Sequence, residues 1–145
     1  MYKKVIWATD GSAPADAAMP EAKALVQSSG GELIVLHAVQ VIGPHEEGTG
    51  QAMLQTEGKT HEKLVNQVRE LADAGISVTL ETPACPIEHV AKAIAEFAAE
   101  KQADAIVIGT RGQTVLRGLL VGSVAMRLLH ITHIPVLVVP PGGVE

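Results

Sequence analysis

Four stretches of the chain are almost continuously aliphatic: Val5-Ile6-Trp7-Ala8, Leu33-Ile34-Val35-Leu36, Ala105-Ile106-Val107-Ile108 and Val136-Leu137-Val138-Val139. Short runs without polar alternation predict strands buried on both faces of a parallel sheet. A fifth run, Ile76-Ser77-Val78-Thr79-Leu80, alternates and is expected nearer an edge. Between the runs the period changes. Ile87, Val90, Ala91, Ile94, Ala95 and Ala98 fall on one helical face, with Pro86 suited to the first turn and Glu88 to its positive end. Leu64, Val65, Val68, Leu71 and Ala72 mark a second helix that stops at Gly75. Residues 14–28 are alanine-rich and read as helical, but Pro20 should kink or shorten that helix. Gly43 to Gly58 reads as a surface loop leading into the second helix, because glycines and Glu46-Glu47 crowd its start.

The resulting order is β-α-β-α-β-α-β-α-β. Strands alternating with helices imply right-handed crossovers, hence an α/β fold with an open, doubly wound, five-stranded parallel sheet and helices on both faces. No linker or internal repeat interrupts the pattern, so residues 1–145 are expected to form a single domain. A chain of this length buries roughly 70% of the surface exposed when unfolded. Ligands of such sheets bind beyond the carboxyl ends of the strands, where the strand order reverses. Two segments occupy strand ends: Thr9-Asp10-Gly11-Ser12 and Gly109-Thr110-Arg111-Gly112.

Composition narrows the function classes. Apolar residues make up 47% of the chain, yet Tyr2, Trp7 and Phe97 are its only aromatics. The core must therefore be aliphatic, and a single-stranded nucleic-acid binder built on stacking platforms is disfavoured. Eleven basic against sixteen acidic side chains give a net charge of −5, which argues against nucleic acid or an anionic membrane as partner. The lone Cys85 has no CxxC partner and reads as an inert thiol. The apolar start is too short for a signal-peptide core, and Arg117 and Arg127 interrupt the most apolar region, so a cytoplasmic protein is expected.

Gly109, Gly112, Gly122 and Ser123 compose the pattern G-x2-G-x9-G-S. Glycines let a backbone approach a phosphate, successive N–H groups form an anion nest, and Ser123 can cap a helix whose N-terminus attracts negative charge. The same residues could equally make a strand-to-helix turn and a plain cap. Asp10 could accept hydrogen bonds from a ribose or adenine, or could cap the first helix with Ser12. His37 reads as a packed or hydrogen-bonded strand-end residue. His130 and His133 lack a third ligand nearby and make a poor metal site, while His45, His61 and His89 read as solvent-facing. No P-loop, no G-x-G-x-x-G after the first strand and no G-x-S-x-G elbow is present. A phosphorylation receiver is also a poor match, since Asp10-Gly11, Glu81-Thr82 and Pro140-Pro141 stand where its acidic cluster, acceptor aspartate and lysine belong.

Taken in order along the chain, these segments resemble the universal stress protein family. The resemblance runs through Met1 to Ser12, Leu36-His37-Ala38, Ala105 to Gly112, Gly122-Ser123-Val124-Ala125 and Ile134 to Val139, and covers essentially the whole length. It implies an adenine nucleotide alpha hydrolase-like fold and, through the glycine pattern, the ATP-binding subgroup. By resemblance, Asp10 contacts adenine or ribose, Ala8 borders the ribose and Ala38 offers its backbone to the adenine edge. Gly109 passes beneath the ribose, and Gly112, Gly122, Ser123 and Val124 present N–H groups, with the Ser123 hydroxyl, to the phosphates. Arg111 and Arg117 are candidates to offset phosphate charge. Two departures touch the first-strand side: Ala15 stands where many members have serine, and Pro20 falls within the first helix.

The expected function is an adenine-nucleotide-binding stress-response module with ATP as ligand, Mg²⁺ being a candidate companion of the phosphates. Two rivals stay open: a slow Mg²⁺-dependent ATPase or phosphotransferase, and a non-binding interaction protein whose glycines only shape turns. If Val136 to Val139 lie at a sheet edge, their unpaired backbone needs cover. The resemblance implies a homodimer formed through that strand.

Overall fold

A computed structural model describes residues 1–41, 47–110 and 122–141. Its elements are β1 (Lys4–Ala8), α1 (Ala13–Asp16), α2 (Met19–Ser29), β2 (Glu32–Leu36), β3 (Val39–Val41) and α3 (Glu47–Asp73). They continue with β4 (Ser77–Glu81), β5 (Ala84–Pro86), a 3₁₀ turn (Ile87–His89), α4 (Val90–Glu100), β6 (Ala105–Gly109), α5 (Ser123–Ile131) and β7 (Val136–Val139). The main sheet is five-stranded, in the order β4-β2-β1-β6-β7, and every neighbouring pair is parallel. The four aliphatic runs and the alternating fifth run all form strands of this sheet. The alternating run lies at one edge and Val136–Val139 at the other.

Side chains alternate across a strand, so each aliphatic run feeds two cores. On one face Ile6, Ile34, Leu36, Ile106 and Ile108 pack with Ala91, Ile94 and Ala98 of α4 and Ala125 and Leu128 of α5. On the other, Val5, Trp7, Leu33, Val35 and Val107 pack with Ala22 and Val26 of α2 and Leu64 and Leu71 of α3. The absence of polar alternation in the sequence is thus the direct trace of helices on both sides. Trp7 is fully buried, and its indole N–H donates to the Ala15 carbonyl at 3.2 Å, which fastens α1 over the sheet.

The helical stretch around Pro20 is split. Pro14 and Pro20 each sit in a helical first turn, of α1 and α2, where a missing N–H costs nothing. The expected apolar face of α4 holds, but Ile87–His89 form a 3₁₀ turn before it.

Two expectations need correcting. The loop read at Gly43 to Gly58 is helical from Glu47 onward, because α3 begins there. Gln51, Ala52, Met53, Leu54, Gln55 and Glu57 are strong helix formers, and they outweigh Gly48, Gly50 and Gly58, each costing about 1 kcal/mol relative to Ala. Residues 42–46 lie outside the described residues. The second correction is an addition: β3 and β5 form a separate two-stranded parallel sheet beyond the end of β2. Among the described residues no helix is long and apolar enough to cross a membrane.

Candidate functional site

The strand order reverses between β1 and β6, which pair in register with Ala8 opposite Ile108. A crevice at such a reversal is where open α/β sheets bind ligands. Residues 9–12 leave β1 on one side of it, and Gly109-Thr110 leave β6 on the other.

The first segment is organised by its own side chains. Gly11 N–H donates to the Thr9 hydroxyl at 3.0 Å, and Ser12 donates to Oδ1 of Asp10 from its N–H, at 3.0 Å, and from its hydroxyl. Ser12 Oγ then accepts from Ala15 N–H at 3.3 Å and so caps α1. Capping therefore falls to Ser12, with Asp10 holding the cap in place. Gly11 has φ +81°, and a Cβ built on it would lie 2.7 Å from Cγ2 of Thr60. A left-handed backbone and a close neighbour both call for glycine here.

On the other side, Thr110 N–H donates to Val139 O at 2.9 Å, and Gly122 N–H donates to the Thr110 carbonyl. The chain thus returns to the end of β6, and the glycine positions 109 and 122 are brought together. Ser123, expected as a possible cap, is the first residue of α5. The cap position is Gly122, and no side chain caps this end. The positive pole of a helix therefore begins beside Thr110. Gly112, Arg111 and Arg117 lie outside the described residues, as does His45.

Ala8 belongs to the core cluster that contains Ile108, and Val124 packs against it, so these side chains close the core beneath the strand ends. Ala38 is also buried, at the seam where the chain passes from the main sheet to the small one. Its neighbours are tied outward: His37 N–H donates to Glu81 O and Val39 N–H to Pro83 O, both at 2.9 Å or less.

His37 is packed and hydrogen-bonded, as expected. Nδ1 lies 3.0 Å from the Thr9 carbonyl oxygen and Nε2 2.8 Å from Oε2 of Glu57. Both partners are acceptors, so the ring meets both at once when it carries both protons. Among the described residues no three His, Cys, Asp or Glu side chains are gathered to hold a metal.

A group of residues on α3 was not anticipated. Besides Glu57 and Thr60, Lys63 Nζ donates to Gly11 O and to Oδ2 of Asp16, each at 2.7 Å, while Gln67 Nε2 donates to Oδ1 of Asp16 at 3.0 Å. The sequence signal was present in their spacing, since 57, 60, 63 and 67 follow the stripe of the buried Leu64 and Leu71. The loop reading covered Glu57 alone; for Thr60, Lys63 and Gln67 the spacing gave a face but not the segment after β1 that it meets.

Known proteins carry the same architecture. The family model described as the universal stress protein family matches residues 1–140. Universal stress protein MJ0531 of Methanocaldococcus jannaschii is 33% identical over 144 residues, covering 96% of this chain and 82% of the relative. The solved structure of hypothetical protein MJ0577, from the same organism, is 28% identical over 99% of both chains, with a TM-score of 0.76. The structure of a universal stress protein from Archaeoglobus fulgidus in complex with dAMP shares the fold, at 24% identity over 96% of this chain and 98% of that one and a TM-score of 0.68.

Proposed function

Since the chain belongs to the universal stress protein family, we propose that it is an adenine-nucleotide-binding member, taking ATP at the crevice between β1 and β6 and serving in the cytoplasm as a regulatory stress-response module. The observation that carries this reading is the hydrogen bond from Gly122 to the Thr110 carbonyl, which sets both ends of the glycine pattern at a strand-order reversal. Asp10 addresses the ribose or adenine, Ala8 lines the ribose and Ala38 meets the adenine edge with its backbone. Gly109 lies under the ribose, and Gly112, Gly122, Ser123 and Val124 supply N–H groups to the phosphates.

The described residues fit that ligand chemically. The start of α5 has no side-chain cap, which suits an anion at its positive end. Ala8, Val124 and Ile108, which close the core at the ends of β1 and β6, are aliphatic, which suits an adenosine held by backbone edges rather than by ring stacking. ATP would bring its own charge and Mg²⁺; the chain would bind and orient it. The adenine nucleotide held by the Archaeoglobus relative is of the same ligand class.

The test is to denature freshly purified protein and identify released nucleotide, then titrate the emptied protein with ATP by calorimetry. Released adenine nucleotide and a saturable heat are expected. No nucleotide and no heat up to millimolar ATP would overturn the reading.

The same reading includes a homodimer through β7. That strand is an open sheet edge, Leu137 on it is 40% exposed, and Met126, Leu129 and Ile131 of α5 are 41–47% exposed. An unpaired apolar edge of this kind favours pairing with a second copy. Light scattering at micromolar concentration should give twice the chain mass, and Leu137→Lys should halve it.

A further inference from the structure

We propose that α3 is the positioning element of the nucleoside half of the site: Lys63, with Glu57, Thr60 and Gln67, sets where Asp10 stands relative to Ala38 without touching the ligand. The inference rests on the nucleotide-binding reading above and extends it to residues that the reading does not use.

The segment from Thr9 to Ser12 is short, contains a glycine with φ +81°, and is joined to the sheet by one backbone bond, Thr9 N–H to Leu36 O at 2.9 Å. His37 adds a contact to the Thr9 carbonyl, and α3 adds several more. Lys63 grips the Gly11 carbonyl, the atom that follows Asp10 by one residue, and anchors it to the Asp16 carboxylate. Gln67 holds the second oxygen of Asp16, so that carboxylate cannot swing away from the lysine. The Thr60 methyl fills the space where a Gly11 side chain would be. Glu57 reaches the site through His37, whose other nitrogen meets the Thr9 carbonyl. Thr9 precedes Asp10 and His37 precedes Ala38, so this bridge fixes the gap between the two residues assigned to the nucleoside.

Residues 57 to 67 advance about 15 Å along a helix, enough to run beside the whole segment. A helix with Leu64 and Leu71 fixed in the core makes a rigid rail beside that segment. Displacement of a binding group by about 1 Å is enough to cost up to roughly a hundredfold in a productive arrangement. The loss should fall on the nucleoside, because the phosphate-side residues attach to β6 and α5.

A ligand ladder separates the two halves. Adenosine, AMP and ATP are titrated into the full chain by calorimetry for the wild type, Lys63→Met, Lys63→Arg and Gly122→Val. Methionine keeps the aliphatic stem of Lys63 and removes its donors. Lys63→Met is expected to weaken all three ligands by the same factor, about tenfold. Lys63→Arg, which can still donate to both acceptors, should recover most of that loss, whereas Gly122→Val should weaken ATP far more than adenosine. If Lys63→Met fails to fold, Asp16→Asn serves instead and should show the same uniform loss at smaller size. Unchanged affinity in Lys63→Met, a loss that grows with the number of phosphates, or no recovery in Lys63→Arg would overturn the proposal. A wild type that binds none of the three would overturn the nucleotide reading itself, which is a different result.

Discussion

The amide of Gly122 donates to the carbonyl of Thr110, closing the chain on itself at the carboxyl end of β6. Gly122 has φ −68° and ψ 165°, an extended conformation open to any residue. Its backbone therefore does not require glycine, so a side chain placed there tests the proposed phosphate contact rather than the turn. Gly122→Val should leave the thermal midpoint nearly unchanged and weaken ATP at least tenfold. A melting curve beside a calorimetric titration checks both halves.

Gly31 tests the opposite end of the sheet. A Cβ there would lie 2.5 Å from Lys3 O and 2.7 Å from Tyr2 O, backbone atoms that also accept hydrogen bonds from Glu32 N–H and the Ser29 hydroxyl and so cannot move aside cheaply. Gly31→Ala should destabilise the fold by about 1–3 kcal/mol, in the range of overpacking. Urea denaturation should show this loss, while nucleotide affinity of the folded fraction stays as in the wild type.

Trp7 is the sole tryptophan and has no exposed surface, so its fluorescence reports on the core alone. Trp7→Phe removes the N–H that serves Ala15 O and leaves part of the ring's volume empty. The two effects together should cost on the order of 2–4 kcal/mol, read by circular dichroism in a urea titration.

How much of this was legible in the sequence follows from what each residue contacts. Val5 to Ala8 and Ala105 to Ile108 declared themselves as strands because both of their faces are covered, a condition that leaves no polar position in the run. The pair β3 and β5 gave no comparable signal. Each is three residues long, and Gln40, Ala84 and Pro86 are exposed, so no apolar run marks them. The positions of Asp10 after a strand and of Gly122 before a helix were legible, since the aliphatic runs and the helical spacing bracket them. The contacts of Lys63 and Glu57 were not, because their partners lie 52 and 20 residues away and periodicity assigns a face without naming its neighbour. Ser123 was misplaced by one position, since a cap and a first helical residue differ only in backbone geometry that the sequence does not display.

Cys85 is a final chemical check. Burial pushes its thiol above the ordinary value, so the neutral form is favoured in the folded chain. Its contribution to stability is then fully present below the ordinary thiol value and is lost as pH rises through the raised one. Alkylation by iodoacetamide at pH 8 should be slow in the native protein and rapid in urea, followed by intact mass.

The grip of Lys63 on Gly11 also bears on timescales. Gly11 sits in a short, polar, glycine-containing stretch that would ordinarily open and close independently of the core. The lysine belongs to a helix whose Leu64 and Leu71 are sealed in that core, and Asp16 holds the same ammonium, so the donor stays in place beside the Gly11 carbonyl when their bond opens. The segment after β1 is thereby returned quickly to one position whenever it opens, which would set the proposed nucleoside side of the crevice before a ligand arrives.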